Sequence, residues 1–185
     1  MQLVTLAWML VECSVALFAA WRAGSVSLLA FGSDSIVELI SAVVVVLQFT
    51  PQFRISQIKA ARFCGTLLLC LAALVSIVAL DGLFNHLEAD TSPLGVAITG
   101  AALLLMPILA RMKRNTAEQT GNRALRADAV QSATCAYLAA LTMAGLLIRW
   151  AFGIHWLDQA AALAAVPILI IEAKRARKGQ TCACC

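Results

Sequence analysis

Charged residues are scarce in this 185-residue chain: Asp, Glu, Lys and Arg make up 13% of it, against about 25% of an average soluble domain. Hydrophobic residues make up 62%. The loops between the apolar blocks contain no Gly-rich phosphate loop, no Ser-His-Asp arrangement and no pair of CxxC motifs. These deficits exclude a soluble globular domain, a disordered chain, a collagen and a disulfide scaffold. They also indicate a protein that is not an enzyme and carries no cofactor.

Six apolar blocks fill almost the whole chain. They are residues 3–21, 25–49, 60–84, 93–112, 123–150 and 155–173. A helix needs about 20 mostly apolar residues to cross a bilayer. The sequence therefore predicts an all-α, polytopic membrane protein with six transmembrane helices in residues 1–178, followed by a short Cys-rich cytoplasmic tail in residues 179–185. The first block is expected to be a retained span, because Arg22 follows its apolar run instead of preceding it.

The basic residues predict the orientation. Twelve of the 14 lie between spans two and three, between spans four and five, or after span six: Arg54, Lys59, Arg62, Arg111, Lys113, Arg114, Arg123, Arg126, Lys174, Arg175, Arg177 and Lys178. Cytoplasmic loops attract Lys and Arg, so both termini are predicted to be cytoplasmic, in the inner cell membrane. Trp21, Trp150 and Trp156 would form an outer aromatic belt. This topology accounts for the net charge of +4, so no nucleic-acid partner is expected.

Four acids interrupt the apolar blocks: Glu12, Asp34, Glu38 and Asp128. An ionised acid at the centre of a membrane helix costs roughly 2.5 to 3.5 kcal/mol on insertion scales. Acids at such positions are therefore candidates for a functional site. Asp34 and Glu38 are four residues apart and share a helix face. Neighbouring carboxylates hold protons more tightly, and a divalent cation that displaces a proton couples binding to proton release. The pattern therefore indicates exchange of a metal ion for protons.

An alternative interpretation gives the acids a purely structural role. Protonated carboxyl groups can hydrogen-bond to serines on neighbouring helices and so hold the helices together. The candidate serines are Ser33, Ser35, Ser41 and Ser132.

Residues 24–41 read GSVSLLAFGSDSIVELIS, and this segment resembles span two of the cation diffusion facilitator (cation efflux) family. The resemblance implies six spans, both termini inside, and transport of a divalent metal ion out of the cytoplasm in exchange for protons. Asp34 and Glu38 match the two metal ligands of that span, with Glu in place of the usual second Asp. Span five of the family carries His-x-x-x-Asp, to which residues 124–128, ALRAD, correspond. Asp128 matches the Asp, whereas Ala124 stands where the His would be.

Without the His, the resemblance supplies three oxygen ligands: Asp34, Glu38 and Asp128. Glu12, at the middle of span one, and Cys135, on the same face of span five as Asp128, are candidates to complete the site. A small packing residue is the alternative for Cys135. The residues do not distinguish Zn, Fe, Co, Cd and Mn. The sequence after span six is too short for the family's C-terminal domain, so a homodimer would need an interface within the membrane.

The cysteine-rich end of the chain suggests a second function. Cys182, Cys184 and Cys185 follow a basic stretch and could bind a soft metal ion, although incidental thiols explain them equally simply. A non-transporting membrane protein could use this tail for metal binding or partner docking, with the intramembrane acids serving assembly.

Overall fold

A computed structural model of the chain describes residues 2–47, 57–85, 90, 92–121, 123–153 and 156–177. It contains six helices: α1 Gln2–Ala23, α2 Val26–Leu47, α3 Gln57–Phe84, α4 Pro93–Thr120, α5 Arg123–Phe152 and α6 Leu157–Arg177. The described residues contain no strand. The predicted all-α architecture of six helices is confirmed. The clearest difference is in α4, which continues to Thr120, beyond the predicted end at residue 112.

Four segments in the described part of the chain are long and apolar enough to cross a membrane: Thr5–Ala23, Gly65–Phe84, Pro93–Thr120 and Asp128–Phe152. Large apolar side chains cover the outside of the bundle, among them Ile77, Leu104 and Ile108. Lipid tails are as apolar as these side chains, so the exposed surface suits a bilayer and not water. The chain is an integral membrane protein.

Glycines allow the helices to approach closely. A Cβ placed on Gly65 of α3 would lie 2.7 Å from the carbonyl oxygen of Ala173 in α6. One on Gly145 of α5 would lie 3.0 Å from the Ala161 methyl group, also in α6. Small residues are used at membrane helix contacts because association there depends on close packing.

Helix α2 lies at the centre of the bundle. It packs against α1, α3, α5 and α6, while α3 pairs closely with α6 and α4 with α5. Both acids of its predicted motif are therefore inside the protein: Asp34 is 2% exposed and Glu38 is fully buried.

Helices α4 and α5 are separated by two residues in the chain. Helix α4 begins after Ser92, whose hydroxyl accepts a hydrogen bond from the Gly95 amide at 3.0 Å. It ends at Gly121, which has a φ of +65° and donates its amide hydrogen to the carbonyl of Ala117. Because α5 starts only two residues later, at Arg123, the last turns of α4 lie beside the first turns of α5.

Candidate cation site

The first group of buried polar residues, which we call the lysine cluster, consists of Glu38, Lys113, Asp128 and Ser132. The Lys113 Nζ lies 3.0 Å from Asp128 Oδ2 and 3.5 Å from Glu38 Oε1. It also donates a hydrogen bond to the Ser132 hydroxyl at 2.7 Å, and that hydroxyl donates to Glu38. All four residues are fully buried. The cluster joins α2, α4 and α5 through one ammonium group and two carboxylates.

Sequence reasoning placed Lys113 among the basic residues of a cytoplasmic loop, and this was wrong. The residue lies in α4, inside the bundle, because the helix continues past residue 112. The signal was its helical spacing: Met106, Ala110 and Ala117 are also buried and lie on the same face of α4 as Lys113. Extending that apolar stripe by one turn would have placed the lysine on the buried face.

The second group, which we call the cysteine cluster, consists of Glu12, Ser35 and Cys135. The Ser35 hydroxyl donates to Glu12 Oε1 at 2.8 Å. The Cys135 thiol donates to the same oxygen at 3.5 Å and lies 3.8 Å from the Ser35 oxygen. All three side chains are fully buried, so this cluster joins α1, α2 and α5.

Asp34 is close enough to both clusters to interact with their acids. The interaction is electrostatic repulsion, and it involves Glu38 of the lysine cluster, Glu12 of the cysteine cluster and Glu172 of α6. Its Oδ2 is buried and has no hydrogen-bond partner among the described residues. The five residues expected to form a site are thus brought into one region of the bundle.

Each of the four carboxyl groups in this region has a buried oxygen without a hydrogen-bond partner in the described part of the chain. These atoms are Glu12 Oε2, Asp34 Oδ2, Glu38 Oε2 and Asp128 Oδ1. Buried polar atoms are normally hydrogen-bonded, and an uncompensated buried charge is costly. Four carboxyl groups and one ammonium do not balance, so this region requires protons or a further cation.

The serine hypothesis accounts for part of this arrangement. Ser35 donates to Glu12 and Ser132 to Glu38. Ser33 is partly exposed, and the side chain of Ser41 lies outside the described residues. Neither Asp34 nor the second oxygens of the glutamates are satisfied in this way. Hydrogen bonds from serines on neighbouring helices therefore account for two of the four buried acids, Glu12 and Glu38.

The carboxyl oxygens of these four acids do not converge on one point. Among the residues that the structure describes, no three His, Cys, Asp or Glu side chains are arranged to hold a metal ion. The physical reason is that Lys113 lies between two of the acids, while Glu12 is turned towards Ser35 and Cys135.

A third group lies at the start of α2, and sequence reasoning gave it no role. Asp158, the second residue of α6, is 1% exposed. It accepts hydrogen bonds from the hydroxyls of Ser25 at 2.6 Å and Ser27 at 2.5 Å, and from the Val26 amide at 2.7 Å. A carboxylate is favoured at the positive end of a helix dipole. Residues 24–27, which read GSVS, thus attach the start of α2 to Asp158 of α6. This contact positions Asp34 and Glu38 further along α2.

Residues 58–177 match a family model described as the cation efflux transmembrane domain. The chain belongs to this cation efflux family. The matched segment covers nearly all of α3 and the whole of α4, α5 and α6, and so includes Lys113, Asp128 and Cys135. A comparison with curated proteins gives no match.

The cation efflux family is a family of transporters, so membership supports transport of a cation across a bilayer as the general activity. Asp34 and Glu38 precede the matched segment, so the family match does not include the motif in α2. The predicted tail site of Cys182, Cys184 and Cys185, and the side chain of Ala124, lie outside the described residues.

Proposed function

We propose that this cation efflux protein exchanges a divalent transition-metal ion for protons across the cell membrane. The proposed ligands are Asp34, Glu38 and Asp128, with Glu12 or Cys135 completing the site. The observation that supports this is the charge imbalance: four buried carboxyl groups lie near one another, and Lys113 is the one basic side chain that contacts them in the described part of the chain.

The buried carboxyl groups carry out the exchange. Outside the cation-bound state, protons neutralise those carboxyl groups that Lys113 does not neutralise. A divalent ion that enters displaces these protons, because the same oxygen atoms hold either the ion or the protons. Protons that return from the other side release the ion. Outward direction, from the cytoplasm, follows from the resemblance of residues 24–41 to the family.

The donor atoms suit several metal ions. Carboxylate oxygens accept Mn, Fe, Co and Zn, while the thiol of Cys135 would favour softer ions such as Zn and Cd. The position of Cys135, 3.5 Å from Glu12 Oε1, makes it the residue on which this choice depends.

The test is metal-ion flux into proteoliposomes under an imposed pH gradient, with Zn²⁺, Cd²⁺, Co²⁺, Fe²⁺ and Mn²⁺ compared. Glu38→Gln keeps the size of the side chain and removes its negative charge. We expect it to reduce flux by about ten-fold or more, the scale on which losses at metal sites act. Glu118→Gln is the matched control, because Glu118 is 55% exposed and pairs with Arg114 in its own helix.

The two failures of this test have different meanings. Equal flux in the native protein and in Glu38→Gln would refute the proposed site. Absence of flux for every ion in the native protein would favour the non-transporting alternative, in which the serine-bonded acids serve assembly.

A further inference from the structure

The lysine cluster contains a cation that belongs to the chain itself. The Lys113 Nζ lies between Asp128 Oδ2, at 3.0 Å, and Glu38 Oε1, at 3.5 Å. These carboxylates are two of the ligands in the proposed function, on which the following inference rests. The ammonium therefore lies where a transported ion would contact both acids.

We propose that Lys113 competes with the transported cation for Glu38 and Asp128. In the state described here the ammonium holds the two carboxylates. The transported ion binds both of them only after the ammonium has moved away.

Electrostatics requires this exclusion. Two positive charges within a few ångströms of each other repel strongly in a buried site, where the effective dielectric is far below that of water. The lysine ammonium is a compact charge with three donors, and the present geometry engages it with both acids and with Ser132. A divalent ion cannot join the same two oxygens while these contacts persist.

Lys113 lies in a part of α4 whose other faces are exposed. Its neighbours Arg111, Met112 and Arg114 are exposed, so the buried residue lies on one face of a helix that is open to its surroundings on the others. A lysine has a flexible four-carbon stem that can carry its charge towards the surface while the backbone stays in place.

Competition has a measurable consequence for affinity. When the competent state is only a fraction of the population, the apparent Kd is the intrinsic Kd divided by that fraction. Lys113 therefore weakens the apparent affinity for the ion. It also keeps Glu38 and Asp128 compensated when no ion is bound.

The experiment is titration calorimetry of the purified, full-length protein in detergent with Zn²⁺, Cd²⁺ or Mn²⁺ at one fixed pH. Lys113→Met keeps the length of the side chain and removes its charge. We expect the Kd to fall by about ten-fold or more, within the usual range of coupling between sites. Lys174→Met, at an exposed position near the end of α6, is the matched control and should leave the Kd unchanged.

A second comparison covers the case in which Lys113→Met does not fold because two acids lose their partner. The double variant Lys113→Met/Asp128→Asn is then compared with Asp128→Asn alone. Removal of the lysine should again lower the Kd, because Glu38 is relieved of the competing charge.

The outcomes separate this inference from the proposed function. Binding only in Lys113→Met, or tighter binding there, supports competition. An unchanged or higher Kd in both comparisons, together with flux that depends on Glu38, overturns competition and leaves the transport proposal intact. Absence of binding and of flux in every variant overturns both.

Discussion

Ser132 connects two of the three charged residues of the lysine cluster, because its hydroxyl accepts a hydrogen bond from Lys113 and donates one to Glu38. Asp34 has no comparable partner in the described part of the chain, and its Oδ2 is a buried acceptor without a donor. At the level of single residues the interior thus contains carboxyl oxygens with a hydrogen-bond partner and carboxyl oxygens without one. The oxygens without a partner are the better candidates for binding an ion that enters and leaves.

Asp34 allows the transport and assembly hypotheses to be separated. Asp34→Asn keeps the shape of the side chain and removes its charge. We expect flux in proteoliposomes to fall by about ten-fold or more, because a neutral amide is a poor ligand for a divalent ion. The midpoint of thermal unfolding in detergent should stay close to that of the native protein.

Asp81→Asn is the matched control, because Asp81 is exposed and contacts Asn85 one turn later in the chain. If Asp34→Asn transported as well as Asp81→Asn, a ligand role for Asp34 would be wrong. Loss of structure in Asp34→Ala alone would then favour the assembly hypothesis.

The acids were found from the sequence and the lysine was missed. A carboxylate in an apolar block stands out because its insertion into a bilayer is unfavourable and no residue near it in the chain offsets this free energy. Lys113 lies between Arg111 and Arg114, in a pattern typical of a cytoplasmic helix end. Helical spacing could have shown that this one basic residue faces inwards, but the tertiary structure was needed to identify its partners Glu38 and Asp128.

At the level of whole helices, α2 is held in place at its start. Asp158 of α6 accepts hydrogen bonds from two hydroxyls and from the first backbone amides of α2. Because the acids of α2 follow from this point at fixed helical spacing, the contact sets their depth in the bundle.

Asp158→Asn should therefore destabilise the protein by about 2 kcal/mol, the scale of hydrogen bonds to a charged group. Chemical unfolding in detergent measures this value. The double variant Ser25→Ala/Ser27→Ala, which removes the partners, should also destabilise the protein. Its effect on the free energy of unfolding should not add to that of Asp158→Asn, because both variants break the same contacts. Simple additivity would show that Asp158 stabilises the protein in another way.

Close packing between α3 and α6 leads to another prediction. Gly65→Ala places a methyl group 2.7 Å from the backbone oxygen of Ala173, so one of the two helices must shift. We expect a loss of about 1 to 3 kcal/mol, as for other overpacked sites. Gly100→Ala is the control, since its added methyl group would meet only Met143 Sδ at 3.7 Å. Equal stability of the two variants would contradict a tight α3–α6 contact.

Helix number could be predicted from the sequence, whereas the end of α4 could not. Apolar blocks show where a helix crosses a bilayer. Beyond residue 112 the helix continues with polar residues, supported by its own backbone hydrogen bonds and by the pair Arg114–Glu118 at 3.1 Å. Hydrophobicity does not report such an extension, because that segment does not need to be apolar.

Across the whole molecule, exposed aromatic residues lie at the C-terminal ends of alternate helices. Trp21 at the end of α1, Phe84 at the end of α3 and Trp150 near the end of α5 are 81%, 78% and 75% exposed. Successive helices that each cross a bilayer run in opposite directions, so these ends lie on the same side of the bundle. Trp side chains such as Trp21 and Trp150 are typical of a membrane interface.

The predicted orientation places this aromatic side outside the cytoplasm. Lys113 is buried and no longer counts as a loop residue, but the other basic residues at the opposite end keep the asymmetry. A reporter that is active only in the cytoplasm should therefore work when fused after residue 185. The same reporter should be inactive when inserted at residues 86–89, between α3 and α4. The reverse pattern would invert the proposed direction of transport.

The short separation between α4 and α5 also has a consequence for biogenesis. Lys113 and Asp128 lie on the two arms of one helical hairpin, and their charged atoms are 3.0 Å apart. An unpaired charge opposes the insertion of its helix, by roughly 2.5 to 3.5 kcal/mol where the charge lies at the helix centre. When α4 and α5 leave the ribosome in succession and enter the bilayer together, the two charges are neutralised within the same hairpin.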